Sequence, residues 1–306
     1  MLFNTKTNDL ITSTIGSFEI LNDRRKNSGR TGVIEVLTNE RKRFFIKVYN
    51  RLSRWNPEVY AYKHWTEPLG RYAPKLIAAF NDDDTFGIII TPIQGKTVNE
   101  MQITDNEILT YIYYEAGQLF KKMQTNKKGD YFGIPNEDGS PYDSESKTDP
   151  VIYVSDSIES LFKSAYDNKI LDSFFEPLIK WCLNNCYIFK DEFPVPTNWD
   201  LSQNNWIVDE DGNFAGFIDF ENMLWGISLD SFAVITERYT YDKPFLEKSF
   251  FEGYGLGNDE IINQKKKIIS VKASIGNVCY GHMIKNQRFF DCGIRMLRNI
   301  AGNHIQ

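Results

Sequence analysis

The sequence is poor in the residues on which several common chemistries depend. Its 306 residues include four cysteines and three histidines. Cys182, Cys186, Cys279 and Cys292 are too few for a disulfide scaffold. With only His64, His282 and His304 to assist them, they read as buried thiols rather than as a zinc site. No apolar run approaches the roughly 18 residues of a membrane span. The opening MLFNTKTNDLITS has neither a basic stretch nor an apolar one, so no signal peptide is read and the cytoplasm is the expected compartment. Internal repeats and low-complexity tracts are also missing. What remains is a chain with 42% hydrophobic and 25% charged residues, rich in Phe and Tyr, which suits one large or two medium folded domains.

Net charge is −6, unevenly spread. Residues 259–306 carry eight Lys/Arg against three Asp/Glu, while residues 129–176 carry eleven acids against three lysines. An acidic middle argues against nucleic acid as the ligand and suits a cationic small molecule, although solvated surface is the ordinary use of such charge.

Along the chain, the first hundred residues read mostly as strands: Ile15–Leu21, Gly32–Leu37, RFFIKVY around Lys47, Pro74–Phe80 and Phe86–Thr91. Between the third and fourth, WNPEVYAYKHWTEPLG reads as a helix opened by Pro57, closed by Gly70 and striped by Val59, Tyr62, Trp65 and Leu69. From Thr104 the pattern turns helical, with Thr104 and Glu107 as a capping box. Residues 125–155 read as a long loop, 157–184 as helix interrupted by Pro177, and the chain after residue 222 as helix to its end. The expected division is a β-rich domain over 1–92 and a helical one over 93–306. The fold class is therefore α+β.

The chemistry concentrates in TNWDLSQNNWIVDEDGNFAGFIDFEN, residues 197–222. Asp211-Gly212 is the strongest turn signal in the chain. A hairpin about it places Asn205 opposite Asp219 to within a residue of register, with Asp200 in the loop before them. One amide oxygen and one carboxylate are hard donors of the kind Mg²⁺ takes, and a separate carboxylate suits acceptance of a hydroxyl proton. Upstream, Lys47 on an apolar strand needs a partner, and Glu58 on the following helix is the expected one. Strand lysine, helix glutamate, Asp-x4-Asn, hairpin and aspartate form the ordered parts list of a phosphoryl-transfer site, with Lys47 on the ATP phosphates.

In these motifs the chain resembles the aminoglycoside phosphotransferase and choline kinase superfamily, whose signature reads like HGDLHxGNxLV…IDWE. Here the corresponding residues run from Asn198-Trp199-Asp200-Leu201 to Asn205-Trp206-Ile207-Val208, then Ile218-Asp219-Phe220-Glu221. Gly226-Ile227-Ser228-Leu229-Asp230-Ser231 is similar to the family's GDPLxDLA. Residues 205–255 look most like antibiotic kinases of the viomycin phosphotransferase kind. The resemblance implies a two-lobed protein-kinase-like fold, ATP (with GTP as the alternative) and Mg²⁺ as cofactors, and a hydroxyl-bearing, cationic small molecule as acceptor, in a monomer or homodimer. It implies that Asp200 is catalytic and that Asn205 and Asp219 bind metal. Lys47 and Glu58 with Ser28, Thr91, Ile93, Ile207 and Ile218 fall on the nucleotide, where Pro92 has no N–H to offer adenine and Ile93 does. Asn198, at the family's first His, and Asp230 would brace the catalytic loop. Trp199 at the usual Gly implies a rearranged loop or a ring facing substrate. Glu221 is the expected acceptor-side contact, with bracing of the loop as its competing role. A metabolic kinase for choline, ethanolamine or a sugar, and a nucleotide-binding regulator without transfer, are the other readings.

Overall fold

The structure, a computed structural model, describes residues 3–25, 31–82, 85–125, 127–144, 146–233, 235 and 242–305. The chain is α+β, as expected, and its contacts separate it into two compact units. One comprises residues 1–103, 134–142 and 204–223. The other comprises residues 104–133, 143–203 and 224–306.

The first unit is built on an antiparallel sheet of β1 (Phe18–Asp23), β2 (Thr31–Thr38), β3 (Arg43–Tyr49), β4 (Leu76–Asp82) and β5 (Thr85–Ile90), in the order β1-β2-β3-β5-β4. Register sets Ile34 opposite Ile46, and Ile46 opposite Ile89. These three, with Val36, Phe80 and Ile11, form a fully buried apolar face. Ile11 comes from α1 (Thr5–Ile15), a helix in a stretch to which the sequence reading assigns no element before Ile15. Its Asn4 caps the Thr7 N–H at 2.8 Å, and Lys6 and Thr7 tie it to Asp82. The strand expected from Ile15 accordingly begins at Phe18.

Side chains alternate across a sheet, so Lys47, next to Ile46, projects to the other face. There lies α2 (Leu52–His64), which buries Trp55, Val59 and Tyr62 and donates the Trp55 indole N–H to the Gly87 carbonyl at 2.9 Å. The helix opens a turn earlier than Pro57 predicts, because Trp55 and Asn56 are already buried in its first turns and proline is tolerated this near a helix start. It ends at His64, and a 3-10 segment over residues 67–72 carries Leu69 into the core.

A second, three-stranded sheet completes this unit. β6 (Lys96–Thr97) leads into α3 (Val98–Met101), whose capping box is Thr97 with Glu100. β6 pairs with a later strand, so residues 204–223 join this unit.

The second unit is helical. α4 (Asn106–Gln124) is capped by Asp105, which holds the Glu107 and Ile108 N–H groups; the box expected at Thr104 does not form because Asp105 is the better acceptor at the next position. α5 (Pro150–Asp167) starts seven residues before the expected helix, capped by Asp149. Then come α6 (Glu176–Asn185), with Pro177 in its first turn rather than breaking a longer helix, and β7 (Val195–Asn198). Two short strands, β8 (Trp206–Val208) and β9 (Phe214–Phe217), belong to the first unit, in the sheet order β6-β8-β9. β10 (Met223–Gly226), where helix was expected, pairs with β7. α7 (Pro244–Tyr254), α8 (Glu260–Met283) and α9 (Gln287–Ile305) finish the chain. α4 and α7 approach closely at Gly117 and Gly253: a Cβ on either would lie 2.2 or 2.0 Å from a carbonyl of the other helix. Among the described residues no helix is long and apolar enough to cross a membrane.

Candidate functional site

The first unit gathers most of the sequence-predicted residues. Asp209 organises the turn between β8 and β9: its carboxylate accepts from the Asp211 and Asn213 N–H groups, and Gly212 takes φ 82°. Trp206 then falls opposite Phe217, and the Ile218 N–H donates to the Asn205 carbonyl at 2.9 Å. Asn205 is thus one residue out of register with Asp219, within the spacing the turn predicts. Asp219 itself has φ 66°, a left-handed backbone that a non-glycine residue adopts only at a cost of about 1–3 kcal/mol.

Lys47 is 6% exposed and Glu58 is fully buried. The Lys47 ammonium donates to both Glu58 oxygens, at 2.8 and 2.6 Å, and to Asp219 Oδ1 at 2.7 Å. Tyr49, two residues along β3 and so on the same face, donates its hydroxyl to Glu58. The Phe220 N–H reaches Glu58 Oε1 at 3.3 Å. Burial acts to lower the Lys47 pKa, but the carboxylates of Asp219, Glu58 and Glu221 outweigh it and leave the ammonium above its ordinary value. For Glu58, burial pushes the carboxyl up while Lys47 pulls against it.

Glu221 is 8% exposed, and its carboxylate accepts from the Thr31 hydroxyl. One oxygen each from Glu58, Asp219 and Glu221 lie within 4.8 Å of one another. Ile207 is buried on β8, and Ile218, one residue past β9, is half-buried. β6 carries the segment after Thr91 and Ile93 onto that sheet, setting Thr97 opposite Ile207. Thr91 is anchored to Lys75 twice, by its N–H at 3.0 Å and its hydroxyl oxygen at 2.9 Å. Ser28 lies outside the described residues.

The second unit holds Asp200 and its braces. Asn198 ends β7; its N–H donates to Ser231 Oγ at 2.8 Å, and its side-chain oxygen accepts the Asp200 N–H at 2.7 Å. Gln203 donates to the Tyr113 hydroxyl at 2.9 Å. Leu201 and Ser202 are buried, Asp200 is half-buried, and Trp199 is turned outward at 49% exposure. Asp230 does not itself hold the loop; its neighbour Ser231 does. Asp230 instead accepts from the Lys272 ammonium, from the Tyr153 hydroxyl at 2.8 Å and from the Ile227 N–H at 3.2 Å, with Lys272 also 4.7 Å from the Tyr153 ring centre.

Sequence reasoning quoted Ser231 only as the end of its motif, with no role of its own, and did not find Tyr153 or Lys272. Tyr49 carried a signal that was available, its i+2 relation to Lys47. Much of the acidic middle serves locally: Asp149 and Asp172 cap helices, Asp138 holds Ser140, and Asp156 and Asp167 pair with Lys147 and Lys163.

No protein-family model matches the chain, and no curated protein matches it in sequence. Solved structures do. The apo form of a thermostable mutant of aminoglycoside phosphotransferase APH(4)-Ia matches with a TM-score of 0.72 over 97% of this chain and 98% of that one, at 11% identity. The GDP complex of wild-type aminoglycoside 2'-phosphotransferase-IIIa gives 0.67 over 98% of both chains at 12% identity. The gentamicin complex of APH(2")-IIa gives 0.63 over 96% of both at 18% identity. The chain therefore has the α+β, kinase-like fold of the aminoglycoside phosphotransferases.

Proposed function

We propose that this chain transfers the γ-phosphoryl group of ATP to a hydroxyl of a small cationic molecule, an antibiotic foremost. One observation carries the reading: the buried Lys47–Glu58 pair extends to a third group, Asp219, held in a left-handed backbone. A pair serving only the core would be complete without Asp219, and backbone cost of this kind collects at functional sites. A strand lysine, a helix glutamate and an aspartate beyond a hairpin are the nucleotide side of phosphoryl transfer. The structural neighbours support the same class, since they include complexes with ADP and hygromycin B, with GDP, and with gentamicin.

In this reading Lys47, steadied by Glu58, contacts the α- and β-phosphates, while Thr91, Ile93, Ile207 and Ile218 receive the base. ATP is the expected donor, with GTP as the alternative. Asn205 and Asp219 offer the amide and carboxylate oxygens that a hard divalent cation takes, and Mg²⁺ would supply neutralisation of phosphate charge. Asp200, set by the Asn198 cap on its N–H, orients the acceptor hydroxyl and takes its proton as that oxygen bonds to the γ-phosphorus and the bond to the ADP oxygen breaks. The exposed Trp199 offers an aromatic face to a cation. Quaternary amines such as choline are therefore the second acceptor class to test.

The test is ADP release from ATP and Mg²⁺ across aminoglycosides, other cationic antibiotics, aminoalcohols and sugars, with Asp200→Asn as control. Acceptor-dependent ADP release led by a cationic antibiotic is expected. A neutral sugar turning over faster than every cation moves the protein to the metabolic kinases, and the absence of any acceptor-dependent release removes transferase activity.

A further inference from the structure

We infer that Glu221, with Thr31, is a positioning pair that holds Asp219 in its left-handed backbone. The role deepens the phosphotransfer reading and rests on it for its functional consequence. A left-handed aspartate persists only where its neighbours over-determine it. Upstream, the Ile218 N–H is fixed to the Asn205 carbonyl. Downstream there are three successive anchors. The Phe220 N–H donates to Glu58, and the Phe220 ring is buried edge-on against Tyr62, with centroids 5.3 Å apart. Glu221 takes the Thr31 hydroxyl, and Asn222 accepts from Arg54.

Of the three, only Glu221 reaches the sheet. Thr31 opens β2 and stands opposite Tyr49 in the ladder, and Tyr49 donates to Glu58. Hydrogen bonds, strand pairing and the backbone through Phe220 thus close a ring: Thr31 to Glu221, along the chain to Asp219, then Lys47, Glu58, Tyr49 and across the ladder to Thr31. A glutamate at 8% exposure that already holds a hydroxyl has little surface to offer an acceptor. Its buried charge is costly, and Lys47 is the cation whose field it shares. Placement and partners put Glu221 with the nucleotide-side residues of the first unit.

The experiment compares Thr31→Val, Glu221→Ala, Glu221→Gln and the Thr31→Val/Glu221→Ala double variant. Three quantities are read: hydrogen exchange of the Phe220 amide without nucleotide, the Mg²⁺ midpoint for activity at saturating ATP, and the acceptor KM. Thr31→Val is nearly isosteric, which keeps the comparison on folded protein. Thr31→Val and Glu221→Ala are each expected to speed Phe220 exchange and to raise the Mg²⁺ midpoint about tenfold, as the loss of one hydrogen bond to a charged group does. The acceptor KM should stay within about twofold. The double variant should be no worse than the single ones, because both break one link. Glu221→Gln keeps an acceptor oxygen and should lie nearer wild type. Unchanged Phe220 exchange in Thr31→Val and Glu221→Ala overturns the inference, as does a rise in acceptor KM at a constant Mg²⁺ midpoint. Faster exchange in a chain that turns over no acceptor upholds the clamp while the kinase reading alone fails.

Discussion

Replacing Lys272 with methionine tests the buried charge behind the Asp200 loop. Asp230 has no exposed side-chain surface and Lys272 only 9%, so the pair sits in a medium where a lone carboxylate is expensive. Lys272→Met keeps the length and packing of the stem and deletes the ammonium. Asp230 then retains the Tyr153 hydroxyl and the Ile227 N–H, two donors of three. Breaking a buried pair costs about 3–5 kcal/mol, and the surviving donors put this case near the lower end. At about 2–4 °C per kcal/mol for a unit of this size, the midpoint should fall by about 6–12 °C. Thermal melts followed by circular dichroism measure it. Lys272→Met/Asp230→Asn removes the stranded charge while keeping an acceptor for Tyr153, and should recover at least half of the loss. A Lys272→Met midpoint within about 2 °C of wild type would falsify the argument, and so would a double variant that simply adds the two single losses.

Other outcomes follow from the same geometry. Asp200→Asn should lower kcat by about two to four orders of magnitude with ATP affinity near wild type, measured by ADP release and by direct nucleotide titration; wild-type turnover removes its role as base. Asp219→Ala should abolish binding of Mg·ATP and Asn205→Ala should weaken it, by calorimetry with and without Mg²⁺; equal binding in either case without metal dependence dismisses them as ligands. Burial raises the Cys182 thiol to about 12 and Cys186 to about 11. A thiol reagent at pH 8 should therefore label Cys279 and Cys292 first, and the buried pair only after denaturation. Because the folded thiols keep protons that the unfolded chain gives up above about pH 9, their contribution to stability is present below that pH and is lost as pH rises through 11 to 12. An alkaline unfolding curve that is unchanged in Cys182→Ala contradicts it.

Lys47 with Glu58, and Asn205 with Asp219, were legible because each pair is set by short-range rules. Strand alternation and the helix just after it fix the first, and a single turn fixes the second. What was not legible came from competition or distance. The helix TKTNDLITSTI is full of β-branched and hydroxyl residues, and only its fit over Ile34 and Phe80 and its Asn4 cap make it helical. Thr104 and Glu107 matched a capping box, yet Asp105 took the cap, and the box formed at Thr97 and Glu100. β6 is two residues long and is defined by a partner 112 positions later, Lys96 opposite Val208. Lys272 reaches Asp230 across 42 residues with no local pattern to announce it. The left-handed turn at Asp219 leaves no trace in composition, since aspartate there looks like any other aspartate.

The first unit takes its last segment from residues 204–223, which has a consequence for how the protein is made. When residue 103 leaves the ribosome, β6 still lacks β8, and the Lys47–Glu58 pair still lacks Asp219. About 120 further residues must be synthesised before both have arrived. At about 5–20 residues per second that is a wait of roughly 6–24 s. Throughout it the five-stranded sheet is complete in strands but carries a lysine and a glutamate whose third partner is missing. Slower decoding between codons 104 and 203 would lengthen the exposure of that intermediate without changing a single residue of the finished chain.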